Sequence, residues 1–247
     1  KLFAAGDSHA TAYGMMLRRF AAETGSVVKV FNQPGCPFLT LQQTNAELPA
    51  PCAHFVQASL GAMAKEAGPQ DVVFLAALRV PRLADQQGLN HSSVEAGLHA
   101  QQRDRSAAVT EAFALLAPLA STQARLVFEA PKPVLPSPTF RCADWFNKMN
   151  PVCKEGSHIP RNTMLAYLAP AKAAVAQLSA QLPGSTIWDP TDVLCDAENC
   201  SAYRDGKPLI FDGDHISGFA NTLLAPYFTA MVHQLQAPPV TAAQLPD

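Results

Sequence analysis

Short apolar runs alternate with helical stretches along most of this 247-residue chain. Five runs are predicted to be strands because they are rich in apolar residues and stop at turn residues; they cover residues 1–5, 27–31, 71–77, 125–130 and 185–189. Apolar residues at helical spacing predict helices over residues 11–23, 52–67, 93–120, 161–182 and 217–235. Strands that alternate with helices build a parallel sheet covered on both faces. The alternation therefore predicts an α/β domain.

The composition suits one packed domain. Hydrophobic residues make up 48% of the chain, and the formal net charge at pH 7 is −2. Without a dense basic run, a nucleic-acid-binding surface is not expected, and no stretch approaches the roughly 20 apolar residues of a membrane helix. We expect a single domain over residues 1–236 and a loose tail over residues 237–247. The chain starts inside a predicted strand without an initiator Met, which indicates a piece of a longer protein.

Six cysteines fall into three neighbouring pairs in loop-like segments. An even number of loop cysteines favours disulfides and an oxidising compartment. We predict sequential pairing, because short loops close at low entropic cost: Cys36 with Cys52, Cys142 with Cys153, and Cys195 with Cys200. A metal site is the less favoured alternative because no Cys-x-x-Cys or His-rich spacing is present. Buried free thiols are a further alternative.

Two short motifs at opposite ends of the chain carry the candidate chemistry. Gly-Asp-Ser-His occupies residues 6–9, directly after the first predicted strand, and Asp-Gly-Asp-His occupies residues 212–215. A serine, a histidine and an aspartate form a nucleophilic triad when the fold brings them together in space. In parallel α/β sheets, functional sites form beyond the carboxyl ends of the strands. The carboxyl ends of the first three predicted strands are followed by residues 6–9, 33–36 and 76–79, and that of the fifth strand is followed by the late motif.

These motifs together resemble the SGNH hydrolase superfamily. The Gly-Asp-Ser-His block, a Gly-Cys-Pro loop at residues 35–37, the loop cysteine pairs and the late Asp-x-x-His motif look more narrowly like the SGNH domain fused to bacterial membrane acyltransferases of family 3. The resemblance covers the chain from Phe3 to about Leu235. It implies a flavodoxin-like three-layer α/β/α sandwich around a central five-stranded parallel sheet.

The resemblance assigns the triad residue by residue. Ser8 matches the nucleophile, although a serine here also suits a helix N-cap. His215 matches the general base, and Asp212, three residues before it, matches the carboxylate that orients the base. Asp214 is the competitor for that role, and we favour Asp212 because Asp214 would have to reach around the backbone. His9 is expected either to line the pocket or to serve as a capping or solvent-exposed residue.

The oxyanion hole departs from the family pattern. The family takes its donors from the backbone N–H of the serine, a glycine in the second block and an asparagine in the third. Gly35 fits the second block, although it also suits an ordinary turn. The third block normally reads Gly-x-Asn-Asp, but here residues 77–80 read Ala-Leu-Arg-Val. We predict that Arg79 replaces the asparagine, since a guanidinium donates to oxyanions; a structural ion pair is the alternative.

The function implied by the resemblance is O-acyl transfer, usually of acetyl groups, to a surface glycan such as lipopolysaccharide O-antigen. The expected partners are the glycan acceptor and a transmembrane acyltransferase domain upstream of Lys1, in the inner membrane, so that this domain lies in the periplasm. Neither a metal nor a cofactor is expected in the domain, with acetyl-CoA serving the membrane domain. The alternatives are a stand-alone periplasmic carbohydrate esterase and a catalytically weak glycan-binding module.

Overall fold

The computed structural model describes residues 1–85 and 92–237. The strands in these two ranges are β1 (Leu2–Gly6), β2 (Val28–Asn32), β3 (Val72–Ala76), β4 (Arg125–Glu129), β5 (His158–Pro160), β6 (Thr186–Trp188), β7 (Asn199–Ser201), β8 (Tyr203–Arg204) and β9 (Lys207–Pro208). Five of them form one parallel sheet in the order β2-β1-β3-β4-β6. The predicted five-stranded parallel sheet is confirmed.

Ten α-helices occur in the same ranges. They are α1 (Ser8–Ala12), α2 (Gly14–Thr24), α3 (Ala50–Glu66), α4 (Val94–Ala100), α5 (Ser106–Ala120), α6 (Thr139–Cys142), α7 (Pro151–Lys154), α8 (Arg161–Gln181), α9 (Thr191–Leu194) and α10 (Gly218–Gln236). None of the helices in this part of the chain is long and apolar enough to cross a bilayer. The predicted tail lies, apart from Ala237, outside the described residues.

The sheet lies between two hydrophobic cores. Successive side chains of a strand point to opposite faces, so Leu2 and Phe74 join one core, whereas Phe3 and Val73 join the other. Helices α2 and α10 cover the first face, helices α3 and α5 cover the second, and α8 contributes to both. Burying one Leu or Phe side chain contributes about 1.5–3 kcal/mol. These contacts make the three-layer α/β/α arrangement that positions the site.

Two predicted helices are each divided in the structure. The helix predicted over residues 11–23 is α1 plus α2, with Tyr13 between them; the Tyr13 side chain is fully buried, and its hydroxyl donates to Glu129 on β4. The helix predicted over residues 93–120 is α4 plus α5. Between these two helices the buried guanidinium of Arg105 donates to the carbonyl oxygens of Leu41 and Arg79, both at 3.2 Å. Each helical pattern is thus interrupted at a buried residue that makes a long-range contact.

The three predicted disulfides are present: Cys36–Cys52, Cys142–Cys153 and Cys195–Cys200. No cysteine in the described ranges is free. The Cys142–Cys153 bond links α6 to α7. The three disulfides therefore cross-link segments that lie outside the five strands of the central sheet.

Candidate functional site

The Ser8 segment is shaped by a close contact between β1 and β3. A Cβ atom added to Gly6 would lie 2.2 Å from the carbonyl oxygen of Ala76, so only glycine fits at this point. The chain then turns, and α1 begins at Ser8. The side chain of Asp7 caps this helix by accepting a hydrogen bond from the backbone N–H of His9 at 2.9 Å. The turn thereby leaves the Ser8 side chain at the carboxyl edge of the sheet.

The late motif forms a tight loop at the same edge. Gly213 has φ +105, and a Cβ there would lie 2.5 Å from the Cβ of Ala84. The N–H of Leu135 donates to the Gly213 carbonyl at 2.7 Å, and the N–H of Phe211 donates to the His215 carbonyl at 2.7 Å. The loop is therefore held at both its tip and its base.

A buried asparagine joins the two segments. The N–H of Met16 donates to Asn221 Oδ1 at 2.9 Å, and Asn221 Nδ2 donates to the carbonyl of Ala12 at 2.8 Å. Asn221 lies one turn into α10, just after the His215 loop, and the two bonds hold α10 against the junction of α1 and α2. Sequence reasoning missed this residue because an asparagine within a predicted helix carries no signal of its partner.

Ser8, His215 and Asp212 lie in one hydrogen-bonded line. The distance from Ser8 Oγ to His215 Nε2 is 2.7 Å, and that from His215 Nδ1 to Asp212 Oδ2 is 2.8 Å. The backbone N–H of His215 also donates to Asp212 Oδ1 at 3.0 Å. With a proton on Nδ1, Nε2 can accept the hydroxyl proton of Ser8, which is the geometry of a nucleophile with its base. The catalytic roles stay a prediction, and their geometry is in place.

Asp214 also reaches His215, contrary to the interpretation that the backbone would keep it away. Its Oδ1 lies 3.2 Å from His215 Nδ1, because the turn at Gly213 directs both carboxylates to the same side. The Arg82 guanidinium donates through Nε to Asp214 Oδ2. Burial alone would raise the pKa of Asp214, but its hydrogen bond to His215 and the neighbouring His9, His215 and Arg82 outweigh burial and hold the pKa well below its usual range.

The charge of His215 follows from these contacts. Burial alone would lower its pKa, but hydrogen bonds to Asp212 and Asp214 and the negative charges of both raise the pKa to about 9. The neutral form of His215, which can act as a base, therefore increases as the pH rises toward that value.

His9 occupies a place that was not predicted. Its side chain is fully buried, and its ring is stacked on that of His215 with 4.3 Å between centroids and 13° between planes. Burial, together with the charges of Lys132 and His215, lowers the pKa of His9 well below its ordinary value. The expected pocket-lining, capping or solvent-exposed role is therefore corrected: His9 is a buried ring that packs against the ring of His215, and its lowered pKa favours the neutral form.

Arg79 also requires a correction. Its side chain is buried, and its three guanidinium nitrogens donate to the carbonyl oxygens of Glu129, Leu39 and Leu75. These bonds assign Arg79 to joining β3 and β4 to the loop after β2, rather than to an oxyanion. The ion-pair alternative also differs from the structure, because the hydrogen-bond acceptors are backbone carbonyls. Burial lowers the pKa of Arg79 to about 10, which leaves it charged at neutral pH.

Two clefts meet at Ser8. A polar cleft of about 270 Å³ has Gly35, Gln42, Arg82 and Arg103 in its wall together with Ser8. Gly35 has φ +77 and thus adopts the left-handed conformation that glycine favours. Its predicted role as an oxyanion donor remains a prediction. Sequence reasoning missed Arg82, whose only sequence signal was its place shortly after β3.

The second cleft is more apolar and has a volume of about 380 Å³. Its wall includes Pro34, Phe211 and Ile216 beside Ser8 and His215. The two clefts give a reacting group at Ser8 one polar and one apolar side.

One cluster in the described ranges has a spacing that a metal could use. Asp212, Asp214 and His215 offer ligand atoms within 4.8 Å of one another. In the structure, His215 uses both ring nitrogens for Ser8 and Asp212, and Asp214 is bound by Arg82. These groups therefore already have hydrogen-bond partners within the protein, and the expectation that the domain binds no metal stays a prediction.

Comparisons with known proteins agree with this fold. A family described as "SGNH domain (fused to AT3 domains)" matches residues 1–230. The periplasmic domain of a Salmonella ser. Paratyphi A lipopolysaccharide acetyltransferase is similar in structure, with 13% sequence identity, a TM-score of 0.61, and coverage of 94% of this chain and 83% of that one. A GDSL-like lipase from Bacteroides thetaiotaomicron matches with 8% identity, a TM-score of 0.45, and coverage of 94% and 87%. No curated protein matches the sequence.

Proposed function

Because the chain belongs to the family of SGNH domains that are fused to AT3 domains, we propose that it is the catalytic domain of a serine O-acyltransferase. The acyl group is acetyl, and the acceptor is a hydroxyl of a cell-surface glycan such as lipopolysaccharide O-antigen. The observation that carries this proposal is the 2.7 Å distance from Ser8 Oγ to His215 Nε2, continued by the 2.8 Å distance from His215 Nδ1 to Asp212 Oδ2.

The reaction follows from that geometry. Ser8 Oγ attacks the carbonyl carbon of the acyl donor while its proton passes to His215 Nε2, and Asp212 stabilises the imidazolium. The imidazolium then returns the proton to the leaving group of the donor, and an acyl ester remains on Ser8. A sugar hydroxyl attacks this ester and gives its proton to His215 Nε2. The bond between Ser8 Oγ and the acyl carbon then breaks, the imidazolium returns the proton to Ser8 Oγ, and the acylated glycan leaves. The backbone N–H groups of Ser8 and Gly35 are the proposed donors to the oxyanion.

The surface next to the triad supports a sugar as the acceptor. Phe211, half of which is exposed, lines the apolar cleft and stacks on Phe140 with 5.1 Å between centroids and 15° between planes. The N–H of Phe140 donates to the Phe211 carbonyl at 2.8 Å, which fixes the pair. Exposed flat rings beside polar groups suit the apolar face of a pyranose. The amide and guanidinium groups of Gln42 and Arg103 in the polar cleft suit its hydroxyls.

The proposed setting is the periplasm. Three disulfides support an oxidising compartment. We place the domain in one polypeptide with a membrane acyltransferase domain on its N-terminal side, which takes acetyl groups from acetyl-CoA and passes them to Ser8. In this proposal the domain itself uses neither a metal nor another cofactor.

A product-partition assay tests the function. The protein is incubated with p-nitrophenyl acetate as donor and de-O-acetylated lipopolysaccharide O-polysaccharide as acceptor, and both acetylated polysaccharide and free acetate are measured. We expect acetyl transfer to the polysaccharide by the native chain and none by the Ser8→Ala variant. Ser26→Ala is the matched control, because Ser26 precedes β2 at the opposite edge of the sheet, and it should retain the native product ratio.

Other outcomes favour the two alternatives. Free acetate as the sole product, lost in Ser8→Ala, would identify a carbohydrate esterase that uses the same triad. Binding of the polysaccharide without any product that depends on Ser8 would identify a glycan-binding module. Either result would overturn the transferase proposal.

A further inference from the structure

His215 faces two carboxylates through one ring nitrogen. Nδ1 lies 2.8 Å from Asp212 Oδ2 and 3.2 Å from Asp214 Oδ1. A single N–H on Nδ1 can therefore be shared between two acceptors, whereas a Ser-His-Asp triad needs only one. The second carboxylate has no role in the mechanism described so far.

Asp214 is held rigidly in this position. Its side chain is 3% exposed, and Arg82 reaches it from the polar cleft to donate to Oδ2. The same oxygen lies 3.6 Å from His9 Nε2, and the backbone N–H of Asp214 donates to Asp212 Oδ1 at 3.4 Å. A buried carboxylate is stabilised by such charged and polar partners. Arg82 therefore acts as the counter-ion of a carboxylate that already contacts the base.

We infer that Asp214, anchored by Arg82, is a second positioning residue for His215 that shares the Nδ1 proton with Asp212 and sets the basicity of the imidazole. The inference rests on the proposed function only in taking His215 as the base. Asp214 touches no reacting atom, and it acts through His215.

The charges around His215 determine the direction in which its pKa should change when Asp214 is replaced. Among the described residues, the titratable groups that face it or its neighbours are Asp212 and Asp214 on its own loop, Asp7 and His9 around the start of α1, Arg82 after β3, and Glu129 and Lys132 at and after the end of β4. The two nearest groups are negative, and a negative charge within a few ångströms favours the imidazolium. Removing either of the two charges should lower the pKa of His215, which makes more neutral base available at pH 7.

An NMR titration of the histidine rings tests this inference without any substrate. The His215 signal is identified among the seven histidines by its loss in His215→Gln. We expect Asp214→Asn to lower the His215 midpoint by about one pH unit or more, as expected for loss of a charge in direct contact. Asp214→Glu should keep the midpoint within a few tenths of the native value.

The control is Asp205→Asn, which removes one negative charge from the turn between β8 and β9, where asparagine tolerates the positive φ of 51. An unchanged midpoint in a folded Asp214→Asn protein would overturn the inference, and so would an equal shift in Asp205→Asn. If Asp214→Asn does not fold, the His215 midpoint is measured in Arg82→Glu instead. Replacing the positive charge by a negative one should raise that midpoint, and an unchanged midpoint would overturn the inference.

A kinetic measurement provides a second readout. For the native chain, kcat/KM for p-nitrophenyl acetate should rise with pH toward a plateau above the His215 pKa of about 9. In Asp214→Asn the rising limb should move to lower pH together with the NMR midpoint. A lower kcat/KM in Asp214→Asn without a shift of its pH dependence would show a purely structural role for Asp214. An inactive native chain would contradict the proposed function and leave the titration as the test of this inference.

Discussion

At the residue scale, the two arginines near the end of β3 have different surroundings, although they are three positions apart. Arg79 is buried and donates to three backbone carbonyls, whereas Arg82 lines the cleft beside Ser8 and binds Asp214. By residue type both offer the same chemistry, and the match to the family motif favoured Arg79. The two arginines differ because the loop after β3 buries one side chain and exposes the other to the cleft. A short sequence motif does not determine which of them is buried.

The role of Arg79 can be tested by Arg79→Met. Methionine fills much of the same volume but donates no hydrogen bond, so two buried carbonyls and one half-buried carbonyl lose a charged partner. Each unpaired buried group costs about 1–3 kcal/mol, and we expect the free energy of unfolding in urea to fall by about 3 kcal/mol or more. Arg18→Met is the control, because Arg18 is exposed on α2, and it should change stability by less than about 0.5 kcal/mol.

An oxyanion role for Arg79 makes a different prediction. Loss of one oxyanion donor lowers kcat by roughly 10²–10³. We expect the folded Arg79→Met protein to lose less than about tenfold in ester hydrolysis, since Arg79 does not line the cleft that contains Ser8. A loss of the larger size at unchanged stability would restore the original prediction for Arg79.

At the element scale, the contact between β1 and β3 sets the position of Ser8. Gly6 pairs with Ala76 in register, and the adjacent turn delivers Ser8 to the sheet edge. The boundaries of the predicted strands lie within one or two residues of the observed ones, because apolar runs that end at turn residues mark buried parallel strands well. The break at Tyr13 was missed because the residue that Tyr13 contacts there, Glu129, is 116 positions away.

Gly6→Ala tests the importance of this contact. The added methyl carbon would lie 2.2 Å from the Ala76 carbonyl oxygen and 2.8 Å from the Ala10 Cβ, so β1 and α1 must move. We expect a loss of about 1–3 kcal/mol in unfolding free energy, and a fall in ester hydrolysis because Ser8 moves with the strand.

The matched control for this substitution is Gly61→Ala. Gly61 lies within α3, and a methyl group added there would meet no atom within 4 Å. Alanine is the better helix former, so stability should rise by up to about 1 kcal/mol. Equal effects of the two substitutions would show that the β1–β3 approach is not the determining contact.

At the scale of the whole molecule, residues 207 positions apart form the site, because the first strand and the last loop meet at one sheet edge. The prediction of a parallel sheet already implied that meeting, so Ser8, Asp212 and His215 could be chosen from their motifs. The contact of Asp214 with the base could not be predicted, because it depends on the turn at Gly213. The stacking of His9 on His215 likewise depends on how α1 packs against the late loop.

The three disulfides stabilise the segments around the central sheet to different extents. In the chain-entropy description, a bond contributes more when it closes a longer loop. The sequence separations are 16 for Cys36–Cys52, 11 for Cys142–Cys153 and 5 for Cys195–Cys200. We expect the paired alanine variants to lose about 3 kcal/mol for the first bond and about 2 kcal/mol for the last. Urea unfolding of the oxidised proteins measures the order, and a reversed order would contradict this account.

The central claim is that Ser8 carries the acyl group. The most direct measurement is mass spectrometry of the chain after acid quenching during turnover of p-nitrophenyl acetate, followed by peptide mapping. We expect one acetyl group on the peptide that contains Ser8, accumulating in the native chain at alkaline pH and missing from Ser8→Ala. A native chain that turns over the ester without any acetyl on Ser8, or a Ser8→Ala chain that acquires the same label, would contradict the central claim.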